Sequence, residues 1–126
     1  MPALFLVMLG GAIGAGFRFH VGRVALATMG PGFPWGTWIV NLTGGLLMGV
    51  LAGTLARAPG VQGEPLRLFL GVGVLGGFTT FSAFSLEAYG MILRGDATLA
   101  FAYAVSSAAG SILAVWLGVA LVRAVA

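Results

Sequence analysis

Apolar residues run along the chain in four long blocks, residues 3 to 27, 35 to 57, 66 to 94 and 97 to 122, joined by connections of a few residues, one of them around residues 58 to 65. About 20 apolar residues cross a hydrocarbon core of about 30 Å as a helix. The pattern therefore predicts an all-α membrane protein, a single four-helix transmembrane domain over residues 1 to 126. The third block is irregular. It contains GVLGGFTTFSAFSLE, residues 73 to 87, where Gly76 and Gly77 precede Phe78, Thr79 and Thr80. Paired glycines lower helix propensity by about 1 kcal/mol each, which predicts a break near the middle of the span; the alternative is a continuous helix whose glycines only pack. In lipid a break survives only where protein, water or an ion satisfies the freed backbone groups. Carbonyls at the end of a half-helix can bind a cation.

Composition agrees with the pattern. The chain is 60% hydrophobic and 7% charged with a mean hydropathy of +1.09, too little polar surface for a water-facing globule. The first block lacks the charged leading region of a secretory signal and carries Arg18, His20 and Arg23 at its far end. With no cysteine there is no disulfide or thiolate site, and one His with three acids makes a metalloenzyme centre hard to assemble. The reading is a non-enzyme. Six scattered Arg and no Lys do not describe a nucleic-acid surface.

The charges bear on orientation instead. Four spans put Arg57, Arg67 and Arg123 on one side and Arg23 and Arg94 on the other, with Arg18 a turn or so deeper. An Arg bias normally sets topology, and three against two or three hardly discriminates. A chain without preference inserts both ways up, and two opposed copies can pair about a two-fold axis in the membrane plane; the alternative is a weak bias settled by neighbouring proteins. Four-residue glycine spacings, Gly10 and Gly14, then Gly45, Gly49 and Gly53, offer flat helix faces. These serve either a second copy or packing within one subunit. In an antiparallel pair the carbonyls at two breaks would converge on the axis and enclose one hard cation in oxygen ligands.

Beyond the break, Phe81 and Phe84 share a helix side, and Ser82 and Ser85 repeat that spacing beside them. Tyr103, Ser107 and Ser111 form a hydroxyl stripe on the fourth span, and Asn41 lies in WGTWIVNLTGG between Thr37 and Thr43. Nearly all these groups donate hydrogen bonds without carrying charge. Rows of such donors replace an anion's hydration in modest steps, the multi-site condition for conduction, and phenylalanine edges carry positive potential. The structural alternative is that the hydroxyls bond their own or neighbouring helices and that the rings are core. Glu87 is the only acid within an apolar span, suited to a vestibule or interhelical bond, or to a proton site.

GGAIGAGFRF at 10 to 19, GTWIVNLTGG at 36 to 45 and above all GGFTTFSAFSLE at 76 to 87 give the chain a further reading. It resembles the Fluc-type bacterial fluoride channels over essentially its whole length. The resemblance implies an antiparallel, dual-topology homodimer of the bacterial inner membrane that exports fluoride passively through two pores. It implies a central Na+, structural and not transported, held by the backbone carbonyls of Gly76 and Thr79. Phe81 and Phe84 would face fluoride, Asn41 would be the pore-lining amide, and Tyr103, Ser107 and Ser111 would form part of the polar track, with Ser82 and Ser85 on the same path. Arg18 matches the family's arginine after the first glycine motif. Ala83 stands where the family often has Thr, and Phe19 where Tyr is common. Two other classes stay open: a small multidrug-type transporter, which needs a carboxylate in the first span that this chain lacks, and a non-transporting membrane assembly subunit.

Overall fold

The computed structural model describes residues 2–57 and 63–125, and among them the regular elements are all helical. Four helices are long and apolar enough to cross a membrane: α1 (Ala3–Met29), α2 (Trp35–Arg57), α3 (Gly63–Leu93) and α4 (Ala97–Val125). In lipid, helices are what satisfies every backbone group without water. Two of them run slightly past their apolar blocks, α1 by two residues and α4 by three, while α3 starts three residues before its block. The predicted connection around residues 58 to 65 lies partly outside the described residues, and its last three residues already belong to α3. Gly30 ends α1 at φ 78°, a left-handed value that glycine adopts without steric cost, and its N–H bonds the Leu26 carbonyl at 3.0 Å.

Close backbone approach organises the bundle. The most extensive helix pair is α2 with α4, followed by α1 with the first half of α3. A Cβ on Gly10 would lie 2.5 Å from the Phe69 carbonyl oxygen, and one on Gly14 would overlap that of Val74. On the other seam, a Cβ on Gly45 would come within 2.8 Å of the Ser111 oxygen, one on Gly49 would overlap the Val115 oxygen, and one on Gly53 would reach 3.1 Å from Val122. The glycine spacings are therefore used within the subunit, which decides between the two readings left open by the sequence. Large apolar side chains such as Leu4, Phe17, Ile112 and Trp116 point outward. In a bilayer that outer surface needs no cover, since lipid tails solvate it.

The seam makes a direct prediction. Gly49→Ala places its methyl against Val115 backbone, which cannot move aside cheaply, and should destabilise the fold by about 1–3 kcal/mol. Gly11→Ala, where a Cβ meets nothing within 4 Å, should not. Thermal unfolding of the two variants in detergent checks the contrast.

Candidate functional site

The third span is broken at Thr79 and Thr80, just past the glycine pair. Gly76 is helical at φ −63° and ψ −38°, the first half closes with a turn at Gly76–Phe78 after a π-helical stretch at Arg67–Leu75, and the chain extends at Thr79 (ψ 159°) and Thr80 (ψ 123°) before Phe81–Leu93 resumes the helix. Thr79 and Thr80 fall halfway along Gly63–Leu93. The glycines have a different task from opening the helix. A Cβ on Gly77 would sit 2.5 Å from the Gly11 oxygen of α1, so its bareness admits a neighbouring backbone.

Side chains from two other helices satisfy the break. Asn41 of α2 donates from Nδ2 to the Thr80 carbonyl at 3.0 Å and accepts the Thr80 N–H on Oδ1 at 2.8 Å. Thr80 caps the second half-helix, its Oγ1 accepting the Ala83 N–H at 3.1 Å. Arg18 of α1 donates from Nε to the Gly77 carbonyl at 3.1 Å. In an unbroken helix, Thr80 N–H would serve the Gly76 carbonyl and Ala83 N–H that of Thr79. Both donors are diverted to side chains. The carbonyls of Gly76 and Thr79 thus lose their helical partners while Gly77 between them is filled by a guanidinium. Among the described residues no group of three or more His, Cys, Asp or Glu could hold a metal ion, so a cation near the break would depend on such main-chain oxygens.

Asn41→Ala leaves the Thr80 N–H and carbonyl without their partner. Each unmade bond costs about 1–3 kcal/mol, so the variant should unfold at a clearly lower temperature. Asn41→Asp retains only the acceptor and should lie nearer to Ala than to wild type; melting curves of the pair check this.

Next to the break lies an open groove of about 430 Å³, lined by Asn41, Gly44 and Met48 of α2, Thr79, Thr80, Phe81 and Phe84 of α3, and Ser107, Ser111 and Ile112 of α4 among others. It gathers Phe81, Phe84, Asn41, Ser107, Ser111 and Thr79 from sequence positions as far apart as 41 and 111. The Phe81 and Phe84 rings are 5.5 Å apart, and Phe81 is 79% exposed. Ser107 is buried at 6% exposure with a hydroxyl that has no partner, an orphan donor at the groove wall. Ser82 and Ser85 are not in the lining; Ser85 bonds the Phe81 carbonyl at 2.8 Å and Ser82 lies 3.4 Å from the Thr80 hydroxyl. Gly76 is outside the lining too.

Tyr103 is fully buried behind the groove, its ring 5.0 Å from Phe84. Its hydroxyl donates to Glu87 Oε1 at 3.0 Å, and Thr37 donates to Glu87 Oε2 at 3.1 Å. Glu87 therefore ties α2, α3 and α4 together. It also borders a second cavity of about 460 Å³ with Thr37, Trp35 and Arg94. Sequence reasoning missed three of these links: Asn41 to the Thr80 backbone, Arg18 to Gly77, and Thr37 to Glu87. None of the three has a local signal, since each joins residues 39 to 59 positions apart; the Thr80 cap does have one, a hydroxyl three residues before Ala83, the pattern of a helix N-cap.

Four apolar helices, a broken third span and a groove of uncharged donors define a small polytopic membrane protein. The chain belongs to the CrcB family, whose model, described as CrcB-like protein, Camphor Resistance (CrcB), matches residues 5–119. It is 56% identical over 128 residues to a protein of Novosphingobium aromaticivorans, with both chains fully covered. It is 54% identical to one of Sphingopyxis alaskensis, over 98% of this chain and 97% of the other, and 52% identical to one of Phenylobacterium zucineum, over 99% and 98%. All three relatives carry the name fluoride-specific ion channel FluC. Four spans in a bacterial family of this kind make the chain a multi-pass inner-membrane protein.

Proposed function

We propose that the chain is a fluoride-selective channel through which fluoride leaves the cytoplasm passively, relieving its toxicity. The observation that carries this reading is the groove itself: Phe81, Phe84, Ser107 and Ser111 share one lining that holds no charged side chain, and the Ser107 hydroxyl has no partner. Such donors bind a small anion and still release it. Full-length relatives that bear the name of a fluoride channel support the same reading. From acidic surroundings fluoride enters the cell as neutral HF and ionises inside, so a conducting path lets a negative membrane potential expel it.

In this reading two copies pair antiparallel, each open groove is completed by the partner, and the dimer has two pores. The carbonyls of Gly76 and Thr79, freed by Asn41 and Thr80, hold one Na+ between the copies. Four neutral oxygens suit a monovalent ion better than Ca2+, which recruits acidic ligands. Arg18 fills the Gly77 carbonyl from within the chain and so leaves the ion to its neighbours.

The multidrug-type alternative fits less well. The α1 sequence holds no carboxylate, and Glu87 is engaged by two donors from neighbouring helices. The deciding experiment is ion efflux from liposomes holding the purified protein. Fluoride efflux far above that of chloride is expected, and none would refute the channel. A C-terminal tag reachable from both membrane faces in comparable amounts is expected in parallel; a single orientation would remove the antiparallel pair.

A further inference from the structure

Six aromatic rings form one unbroken series from the first turns of α2, through the connection before it, to the groove. Trp38 lies 5.9 Å from Trp35, Trp35 lies 4.7 Å from Phe33, Phe33 lies 5.2 Å from Tyr103, Tyr103 lies 5.0 Å from Phe84, and Phe84 lies 5.5 Å from Phe81. We infer that Phe33, in the connection and outside the groove lining, is a positioning residue that sets the angle of the Phe84 ring through Tyr103. The inference rests on the channel reading, in which Phe84 faces the anion.

The geometry at Tyr103 supports this. Its hydroxyl is fixed by Glu87 at 3.0 Å, so the remaining freedom of the side chain is tilt about that anchor. Phe33 meets one part of the ring nearly perpendicular, at 81°, and Phe84 meets it tilted at 48°. Edge-to-face contact is an oriented interaction, because a positive ring edge seeks a negative face. Phe33 and Phe84 also pack against the same buried cluster of Met91, Ala100 and Tyr103. A branched aliphatic side chain at position 33 would fill the volume without dictating an angle. Tyr103 would then rock on its hydroxyl, and Phe84 would present its edge to the groove only part of the time. Phe33 is placed by Gly30, whose positive φ ends α1, and by Pro34 ahead of α2, so a short, constrained connection supplies the outermost support.

The test compares Phe33→Leu, which keeps bulk, with Phe33→Tyr, which keeps the ring, in the full-length protein reconstituted in liposomes. Phe33→Leu should lower fluoride efflux about threefold to tenfold, the range one oriented ring contact commands, and lower the fluoride-over-chloride ratio, while eluting as wild type. Phe33→Tyr should restore both, and the near-ultraviolet circular dichroism of the coupled rings should follow the same order. Wild-type flux and ratio in Phe33→Leu, or equal losses in both variants, would overturn the inference and reduce Phe33 to packing. Should Phe33→Leu fail to fold, Phe33→Met makes the same comparison. Wild-type protein that carries no fluoride would instead refute the channel reading, whichever way the dichroism falls.

Discussion

Phe81→Ile and Phe84→Ile are each expected to bring fluoride efflux down to the leak of protein-free liposomes. Isoleucine keeps the site apolar and bulky but has no ring edge, so the only positive potential offered by these positions disappears. Fluoride is strongly hydrated, and the groove holds no charged residue to replace that lost partner. The two variants should part company in stability. Phe81 is 79% exposed within the subunit, so its replacement should leave the unfolding temperature of the subunit nearly unchanged. Phe84 packs on Tyr103, and its loss forfeits an aromatic pair worth about 0.5–1.5 kcal/mol. Efflux traces and melting curves on the same preparations check both halves. Wild-type flux in both variants would make the pair packing residues and move the pathway elsewhere.

Fluoride flux is likewise expected to collapse when Na+ is stripped from the protein, and to return when it is restored. The carbonyls of Gly76 and Thr79 have lost their helical donors, and a bound ion would satisfy them. In the proposed antiparallel pair such an ion would lie outside both grooves and would not be carried, so the current should reverse at the fluoride potential and ignore the sodium gradient. Gly76 also allows a test of the second copy. A Cβ there meets nothing in its own subunit closer than the Gly71 oxygen at 3.7 Å. Gly76→Val should therefore leave the folded monomer almost as stable as wild type, yet abolish dimerisation and the stabilising effect of Na+. Thr79→Ser, which keeps the hydroxyl bond to Leu75 and the main-chain oxygen, should be mild. Size measurement with and without Na+ reads both. A reversal potential that moves with the sodium gradient at fixed fluoride would mean coupled transport.

Much of this was legible in the residue pattern, and the reason differs from feature to feature. The four spans follow from block length, because a bilayer forces each long apolar block to satisfy its own backbone. The break near the middle of the third span was legible, and the structure fixes it at Thr79 and Thr80. Gly76 and Gly77 weaken a helix, but a helix opens where its peptide groups find other partners, and those partners stand 39 and 59 positions away at Asn41 and Arg18. The glycine spacings told that a backbone comes close without telling which one. It proved to be α3 against α1 and α4 against α2.

The candidate site divides in the same way. The donors on α4, the phenylalanine pair and Asn41 were chosen from the sequence because uncharged hydroxyls, ring edges and an amide are unusual among apolar residues, and chemistry of that kind is local to a side chain. That Phe81, Phe84, Ser107 and Ser111 share one groove, that Asn41 spends one donor and its acceptor on Thr80, and that Tyr103 stands behind Phe84 were settled by packing. The sequence by itself determined the solvent, the number of spans and the kinds of donor available, since each depends on a residue and its near neighbours. Only the tertiary structure decided which carbonyls lose their partners and which rings lean on one another, because those depend on distances between helices that no single helix contains.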